Sequence, residues 1–446
     1  MYIHPSVRIF TYIPSMQRKI LKKLAEWKNS VERKPLILQG ARQTGKTYTV
    51  TEFGSKFYSS VVYCNFEREP NLASLFSDLS PNHILPNLGA IKQQKIFPRE
   101  TLVVFDEVQA CSKALTSLKY FCEEAPDIHI IALGSLLGVA VNRAEFSFPV
   151  GKVQFLDMHP LDFEEYLLAR GDDFFQQKIS ECFAENTPME KALHVKALEI
   201  YREYLFVGGM PAAVDNFVRN RNPLQANIIK QDILAAYQND MSKYNKPSEI
   251  AKTRLVYSGI GKQLAKENKK FQYRGIKPGA RASEFENAIE WICLSGIASK
   301  VSRLEHIALP FSANTSDSDF KLYMNDVGLC CASQNATYDD IVYENPLFND
   351  FKGGLSENYV YTQLKANHIE SYYWNESNQN EIDFILRLNN DIIPVEVKAA
   401  AHNKSQSLNA FVKKHKPPYS IRISTKNFGF ENGIKSVPLY AAGWVK

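Results

Sequence analysis

The sequence predicts an α/β protein built from four parts, and three observations support this prediction. Over roughly the first 160 residues, short apolar strands alternate with helical segments, a pattern typical of a parallel sheet with helices on both faces. Helical patterns then fill the chain from Leu161 to about Asn245. The last third of the chain holds two alternating strands around a tight polar turn, within residues 380–400.

The bulk composition is that of a globular protein with several domains. The chain has 446 residues, which is too many for one ordinary core, and 45% of them are hydrophobic while 23% are charged. The net charge of +5 is too small over this length to indicate a nucleic-acid partner by itself.

Cysteine usage and the lack of targeting signals predict a cytoplasmic location. The seven cysteines are scattered and form no C-x-x-C pair, so neither a disulfide framework nor a zinc site is indicated. The first 19 residues lack the layout of a signal peptide. No uncharged apolar run approaches the ~18 residues that span a bilayer, so no membrane partner is expected.

Residues 36–47, LILQGARQTGKT, place a complete phosphate-loop motif, G-x-x-x-x-G-K-S/T, between a strand and a helix. We expect its backbone N–H groups to surround the phosphates of ATP, Lys46 to reach the β- and γ-phosphates, and Thr47 to bind Mg²⁺. The alternative is a plain glycine turn. The candidate nucleotide-binding residues of the loop are Gly40, Ala41, Arg42, Gln43, Thr44, Gly45, Lys46 and Thr47.

Two later strands end in polar residues that fit the same site. The strand in TLVVFDEVQ ends in Asp106 and Glu107, to which we assign the magnesium shell and the orientation of the attacking water, respectively. Two solvated acids are the alternative, which leaves their distance from the phosphate loop unexplained. The strand in IHIIALGS ends at Ser135, which either senses the γ-phosphate or caps a helix. ATP and Mg²⁺ are expected where the strands end.

Five segments, in their order along the chain, resemble the prokaryotic AAA-type ATPases that carry a C-terminal domain of uncharacterised function. The segments are LKKLAEWKNSVERKPLILQGARQTGKT, FDEVQ, LGS, FPVGKVQFLDMHPLDFEEYL and YLFVGGMPAAV. The resemblance covers nearly the whole chain. It implies an AAA-type P-loop domain (15–160), a helical lid (161–245), a winged-helix-like module (246–330) and a nuclease-like domain (331–446).

The same resemblance raises the question of oligomerisation. AAA-type enzymes commonly use an arginine from a neighbouring subunit, so a homo-oligomer is one expectation. Arg143 and Lys152 are the candidates for this role in the present sequence, and the assignment stays open.

Residues 261–281, GKQLAKENKKFQYRGIKPGAR, hold seven Lys/Arg residues against a single Glu. Positive charge interleaved with Phe271 and Tyr273 fits the phosphate backbone and bases of DNA. A solvated loop beside a protein-binding helical module is the alternative. The acids of the following helix, ASEFENAIE, oppose its insertion into a major groove.

The C-terminal hairpin, NEIDFILRLNNDIIPVEVKAA, collects charged residues at alternate positions. A turn centred between residues 389 and 390 predicts Asp383 opposite Glu396 and Glu381 opposite Lys398, with all four on one face. The opposite, core-facing residues are then Ile382, Phe384, Leu386, Ile393, Val395 and Val397.

The D…E-x-K pattern on a hairpin resembles the restriction-endonuclease fold, which usually adds a glutamate from a preceding helix, here Glu357. The resemblance implies a Mg²⁺ site made by Asp383, Glu396 and Glu357. Lys398 is then expected to polarise a water or stabilise a pentacovalent phosphate, which makes Asp383, Glu396 and Lys398 catalytic. The alternative is a surface salt bridge between Glu381 and Lys398 with solvated acids beside it.

Two functions from different classes therefore stay open. The first is an ATPase that acts on DNA through its nuclease-like domain, with Mg²⁺-dependent cleavage unresolved. The second is a nucleotide-controlled interaction switch, whose nuclease-like domain binds a partner or DNA without cleavage. A P-loop kinase is set aside because no clamp for a substrate phosphate is visible in the sequence.

Overall fold

The computed structural model describes residues 16–134, 149–245, 247–266, 269–343, 345–377, 380–399 and 406–446. The predicted α/β class is confirmed: a parallel sheet at the N-terminus, a helical middle and a mixed sheet that reaches the C-terminus. Ser135 and Arg143 lie outside the described residues. Among the described residues, no helix is both long and apolar enough to cross a membrane, and all seven cysteines are free thiols.

The N-terminal sheet has five parallel strands in the order β2-β3-β4-β1-β5. Its strands are β1 (Leu36–Gln39), β2 (Ser60–Asn65), β3 (Thr101–Asp106), β4 (His129–Gly134) and β5 (Gln154–Asp157). Because the strands are parallel, the phosphate loop after β1 and the acids after β3 lie at the same edge of the sheet. Strand β4 lies between β1 and β3.

Helices cover both faces of this sheet, as expected for parallel strands that are apolar on both sides. They are α1 (Ile20–Asn29), α2 (Lys46–Phe57), α3 (Pro81–Ile91) and α4 (Ser112–Glu124). Helices α1 and α2 pack on the face that carries Leu36, Leu38 and Val104. Helices α3 and α4 pack on the face that carries Ile37 and Phe105.

Six helices form the middle of the chain: α5 (Phe163–Arg170), α6 (Asp173–Glu185), α7 (Lys191–Val207), α8 (Pro211–Asn220), α9 (Pro223–Tyr244) and α10 (Pro247–Leu264). Their starts follow local chemistry. Asp162 and Glu165 form a reciprocal capping box at α5, and proline occupies the first turn of both α8 and α9.

Gly208, which follows α7, packs directly against Gly328, near the start of the helix that begins at Val327. A Cβ on Gly208 would lie 2.8 Å from the Cα of Gly328, and a Cβ on Gly328 would lie 2.4 Å from the carbonyl oxygen of Val207. Neither distance is compatible with a side chain, so glycine is needed at both positions. Asp326 secures the crossing, since its Oδ2 accepts the N–H of Gly209 at 2.6 Å.

The remaining helices are α11 (Ala282–Leu294), α12 (Val327–Ser333), α13 (Tyr338–Val342), α14 (Asn349–Ala366) and α15 (Gln406–His415). Short 3-10 helices span Pro70–Ser77, Val108–Ala110, Tyr273–Gly275, Phe311–Asn314, Pro346–Phe348 and Leu439–Trp444.

The second sheet has eight strands in the order β12-β13-β11-β10-β9-β8-β6-β7. They are β6 (Ala298–Leu304), β7 (Thr315–Met324), β8 (Ser371–Ser377), β9 (Asn380–Leu388), β10 (Asp391–Val397), β11 (Ser420–Ser424), β12 (Gly429–Glu431) and β13 (Ile434–Pro438). Strand β6 pairs with β8 in parallel, so this sheet continues across the position, 330/331, at which the sequence suggests a domain boundary.

Candidate functional site

The phosphate loop connects β1 to α2 and is held tightly from both sides. A Cβ on Gly40 would lie 2.2 Å from the carbonyl oxygen of Met158, which explains why glycine follows β1. The guanidinium of Arg18 donates to the carbonyl of Thr44 at 3.0 Å. The ammonium of Lys46 donates to the carbonyls of Gly40 and Ala41, at 2.8 Å each. The loop is therefore a closed turn whose lysine faces inward.

The environment of Lys46 suits a bound anion. Burial lowers the pKa of its ammonium to about 8, and the charges of Glu107 and Asp106 offset only part of that effect. Carbonyl oxygens are its hydrogen-bond partners among the described residues. A cation that is buried with neutral partners gains the most from a phosphate in contact with it.

Asp106 and Thr47 meet as the sequence predicts. The hydroxyl of Thr47 donates to Oδ2 of Asp106 at 2.9 Å, and the hydroxyl of Tyr63 donates to the same oxygen. Asp106 is buried at the end of β3, and its Oδ1 accepts the N–H of Glu107 at 2.9 Å. In the described part of the chain, no ammonium or guanidinium group forms an ion pair with Asp106.

Glu107 follows in a constrained backbone conformation. Its φ of 51° lies in the left-handed region, which is uncommon for a residue with a side chain and recurs at functional sites. Its carboxylate accepts a hydrogen bond from the side chain of Gln109. Burial raises the pKa of this carboxyl, as expected for a group that takes up a proton.

Contacts from helix α9 to the phosphate loop were not found by sequence reasoning. The guanidinium of Arg42 forms an ion pair with Asp240, and Glu67 lies 3.9 Å from it. The hydroxyl of Tyr237 donates to the carbonyl of Arg42 at 3.0 Å. Tyr237 and Asp240 share a helix face through their i, i+3 spacing, but nothing in the sequence indicates what that face contacts.

The turn after α11 also touches the phosphate loop. A Cβ on Gly296 would lie 3.1 Å from the backbone nitrogen of Ala41. A cavity of 350 Å³ continues from this contact and is bordered by Gly40, Asp157 and Lys365. The nucleotide-binding unit is thus in direct contact with the parts of the chain that follow it.

Arg143 and Lys152 are the candidates for the basic residue that would reach the nucleotide site of a neighbouring subunit. Of the two, only Lys152 lies among the described residues. Its ammonium pairs with Glu123 of the same chain at 2.9 Å. The assignment of this role therefore stays a prediction.

The basic stretch of residues 261–281 is partly turned inward. Lys269 pairs with Glu357 and Lys270 pairs with Asp319. Phe271 is buried and stacks on Phe320, with ring centroids 5.4 Å apart. These side chains are engaged within the protein, which favours the packed-module interpretation for this half of the stretch.

The C-terminal hairpin has the predicted register. Strand β9 pairs antiparallel with β10, from Asp391 opposite Leu388 to Val395 opposite Phe384. On its other side, β9 pairs with β8 through a bulge: Tyr372 lies opposite Ile385 and Trp374 opposite Ile382. Two residues of β9, Asp383 and Phe384, therefore stand opposite one residue of β8.

The bulge corrects the predicted assignment of faces. Ile382 does not share the core of Phe384. It packs with Ile385 and with Leu408 and Phe411 of α15 on the other side of the sheet, whereas Phe384 lies in the main core. The irregularity breaks the strict alternation and brings Asp383 next to helix α14.

Three carboxylates consequently form one group, and they are not the three that were predicted. Ligand oxygens of Glu357, Glu381 and Asp383 lie within 4.8 Å of one another. We define these three residues as the carboxylate cluster. Glu357 comes from α14, as the resemblance to the nuclease fold implies, but Glu381 stands where Glu396 was expected.

Glu396 belongs to a different set of contacts. Its neighbours Val395 and Val397 both lie in the main core, so strand alternation directs Glu396 to the other face. There it contacts the ammonium of Lys398 at 3.3 Å and the guanidinium of Arg422 at 3.7 Å. The prediction that all four charged hairpin residues share one face is therefore wrong for Glu396, and Lys398, two positions further along, pairs with Glu396 on that other face.

Lysine side chains already occupy the carboxylate cluster. The ammonium of Lys321 lies 2.8 Å from Oε1 of Glu357 and 2.5 Å from Oε1 of Glu381. Lys269 pairs with Oε2 of Glu357. Burial alone would raise the pKa of Glu357, but the charges of Lys269 and Lys321 outweigh it and hold the pKa well below its usual range.

The two sites differ in how well they suit Mg²⁺. At the phosphate loop, a carboxylate bonded to hydroxyl groups is the oxygen-rich donor set that Mg²⁺ accepts, so Thr47 and Asp106 fit that ion. At the carboxylate cluster, both oxygens of Glu357 are paired with ammonium groups. That arrangement does not fit a divalent cation, and no chemistry is derived through one there.

Together, the parallel sheet, the phosphate loop and the adjoining acids define a P-loop nucleotide-binding domain. More particularly, a family model described as an AAA domain matches residues 32–167. Two families described as domains of unknown function match later segments: DUF8612 over residues 198–340 and DUF4143 over residues 352–442. No curated protein sequence matches the chain.

Three solved structures show remote similarity. The Walker-type ATPase PABY2304 of Pyrococcus abyssi is 16% identical, with 72% of this chain and 96% of that chain covered and a TM-score of 0.43. The ORC2 protein of Aeropyrum pernix, in ADPNP–ADP complexes, is 12% identical over 75% and 96% of the two chains, with a TM-score of 0.36. The ORC1 protein of Aeropyrum pernix in complex with DNA is 13% identical over 76% and 95%, with a TM-score of 0.27.

Proposed function

We propose that the protein binds ATP with Mg²⁺ at the phosphate loop and hydrolyses it. The observation that carries the proposal is the hydrogen bond of 2.9 Å between the Thr47 hydroxyl and Asp106, with Glu107 next to it in a constrained conformation. Thr47 lies at the start of α2 and Asp106 at the end of β3, 59 positions apart, and a plain glycine turn gives no reason for their meeting.

Each residue has a separate task in this proposal. Lys46 exchanges its carbonyl partners for the β- and γ-phosphates and neutralises their charge. Thr47 and Asp106 hold Mg²⁺, which supplies charge stabilisation to the phosphoryl group when it is bound. Glu107 orients the attacking water and accepts its proton, a role that the raised pKa of its carboxyl favours.

The test separates binding from hydrolysis. Lys46→Ala is expected to weaken ATP binding about 10- to 100-fold in calorimetry, from ~1.5–3 kcal/mol for a hydrogen bond to a charged group. Glu107→Gln should keep ATP binding and reduce phosphate release by about 10²–10⁴-fold. Lys56→Ala is the control, because Lys56 lies on the same helix in an exposed pair with Glu52. Unchanged ATP affinity in Lys46→Ala would contradict the proposal.

For the C-terminal part, we propose the interaction switch rather than a nuclease. Pairing of Glu357 with Lys269 and Lys321 supports this choice. The contacts Arg42–Asp240 and Ala41–Gly296 offer a route from the phosphate loop to the following segments. The check is incubation of plasmid and single-stranded DNA with Mg²⁺ or Mn²⁺, with and without ATP. Cleavage that disappears in Asp383→Ala would reject the switch in favour of a nuclease.

DNA is the partner that we propose for the switch. Five basic residues of the stretch 261–281 are exposed and form no ion pair within the described residues: Lys262, Lys266, Arg274, Lys277 and Arg281. An unpaired basic surface of this kind binds a phosphate backbone in a salt-dependent manner.

Charge reversal tests this partner. Arg274→Glu together with Lys277→Glu should weaken DNA binding in fluorescence anisotropy and reduce the salt slope by about 2. Lys196→Glu, at an exposed pair with Glu199 on α7, serves as the control. Equal losses in the two proteins would show that this surface has no special role.

A further inference from the structure

We infer that the carboxylate cluster is filled by the protein's own ammonium groups, those of Lys321 and Lys269. The cluster then acts as a metal-independent clamp that joins the segment before α11 and strand β7 to helix α14 and strand β9. This inference goes beyond the proposed nucleotide chemistry and does not depend on it.

Lys321 occupies the centre of the clamp. It lies on β7, and its side chain is fully buried. Its ammonium contacts Glu357 and Glu381 at 2.8 Å and 2.5 Å and lies 4.9 Å from the ring centroid of Tyr373. Two carboxylates and an aromatic face surround this cation, which is how a charge without access to water is stabilised.

Glu357 has no oxygen left for a metal ion. Its Oε1 accepts from Lys321 and from the hydroxyl of Tyr323, and its Oε2 accepts from Lys269. Glu357 is 1% exposed. A metal ion at Oε1 would have to displace the fully buried ammonium of Lys321, and one at Oε2 would have to displace that of Lys269, whose side chain is 19% exposed.

The charges of the cluster balance without a metal ion. Two ammonium groups face the carboxylates of Glu357 and Glu381, which gives a net charge of zero. Burial and then the charge of Glu357 raise the pKa of Asp383 to about 7, so this third carboxyl readily holds a proton. Its Oδ2 accepts the N–H of Val397 at 2.7 Å. A divalent cation would add two positive charges beside two ammonium groups in a buried site.

The clamp joins segments that are far apart in the chain. Lys269 precedes α11, Lys321 lies on the edge strand β7, Glu357 lies on α14 and Glu381 on β9. Strands β6 and β8 separate β7 from β9 in the sheet, so Lys321 links strands that do not hydrogen-bond to each other. The turn after α11, which touches the phosphate loop, lies between Lys269 and Lys321 in the chain.

The first experiment titrates the nucleotide-free full chain with Mn²⁺ and follows free Mn²⁺ by electron paramagnetic resonance. Wild type and Asp383→Asn should bind Mn²⁺ identically, because the cluster holds none. Loss of one Mn²⁺ site in Asp383→Asn would overturn the inference, and Asp106→Asn identifies any ion held at the phosphate loop.

The second experiment tests whether Lys269 is a counter-ion of Glu357. Lys269→Met should lower the melting temperature by roughly 5 °C. The double variant Lys269→Met/Glu357→Gln should lose clearly less than the sum of its single changes, because each change removes the reason for the other charge. Strictly additive shifts would overturn the clamp. Lys270→Met, the adjacent lysine paired with Asp319, should show no coupling to Glu357→Gln.

Discussion

The phosphate loop and the carboxylate cluster both bring buried lysine close to carboxylates, yet they pair these groups in opposite ways. At the phosphate loop, the ammonium of Lys46 donates hydrogen bonds to carbonyl oxygens, and Asp106 accepts hydrogen bonds from hydroxyl groups. At the cluster, Lys321 bonds directly to Glu357 and Glu381. The first arrangement keeps positive and negative charges apart, and the second neutralises them.

This difference shows that the partners of a carboxylate decide what it can do. A carboxylate that accepts from hydroxyl groups keeps its negative charge and exchanges those partners for a cation at little cost. A carboxylate that accepts from buried ammonium groups is already neutralised, and separating the pair costs about 3–5 kcal/mol. Acidic residues at similar density therefore form a binding site in one place and a structural joint in the other.

The largest effect is expected when Lys321 and Lys46 are replaced by methionine in two separate variants. Lys321→Met should lower the free energy of unfolding by about 3–5 kcal/mol, because two carboxylates lose a buried counter-ion. Lys46→Met should leave it unchanged or raise it by about 1 kcal/mol, because burial disfavours the charge of that lysine. ATP binding should respond in the reverse order, weakened about 10- to 100-fold in Lys46→Met and retained in Lys321→Met.

Urea unfolding and calorimetry with ATP measure both quantities on the same preparations. Equal losses of stability in the two variants would remove the distinction between a binding site and a joint.

A smaller effect is expected from pH, through Asp383. Its pKa is raised from an ordinary value of 3.8 to about 7, so the folded state holds this proton more tightly than the unfolded state. The resulting stability is complete below the unfolded value and is lost as pH rises through about 7. Relative to Asp383→Asn, wild type should therefore lose about 3 kcal/mol between about pH 4 and pH 7.

Denaturation of both proteins at several pH values in this window provides the measurement. A stability difference that stays constant across the window would mean that Asp383 is ionised throughout, and that the cluster carries more negative charge than the clamp allows.

The smallest effect is expected at Glu396, which lies outside the cluster. Glu396 is itself buried, but the side chains of its partners Lys398 and Arg422 are 30% and 19% exposed and can reach water, so Glu396→Gln should cost about 1 kcal/mol. Glu357→Gln, the matched change within the cluster, should cost several times more because Lys321 has no access to solvent. If the two variants unfold at the same urea concentration, the bulge does not separate the two sets of acids in the way described.

Sequence reasoning performed well where the signal is local. The phosphate loop and its acids lie at strand ends, and parallel strands bring their ends together, so the contact between Thr47 and Asp106 follows from motif and topology. The β9–β10 register follows from the position of the turn.

It failed where a distant segment decides the outcome. The bulge in β9 arises from its pairing with β8 rather than with β10, and the hairpin sequence carries no sign of it. Lys321 and Lys269 reach Glu357 from 36 and 88 positions away. Lys269 belongs to a basic stretch for which the sequence leaves DNA binding and a solvated loop both open. Nothing in the sequence marks Lys321, which lies on the edge strand β7. A pattern of acids predicts a cation, but not whether it is a metal ion or an ammonium group.

The contact between Gly208 and Gly328 predicts how these two positions vary among related sequences. Each glycine occupies the space that a side chain on the other side of the crossing would need, so neither position gains from mutation of its partner alone. We expect the two positions to change as a pair; both lie within residues 198–340, which one family model matches. Homologous chains should therefore keep both glycines or lose both together, and a lineage that carries a larger residue at one position should show a rebuilt connection at the other.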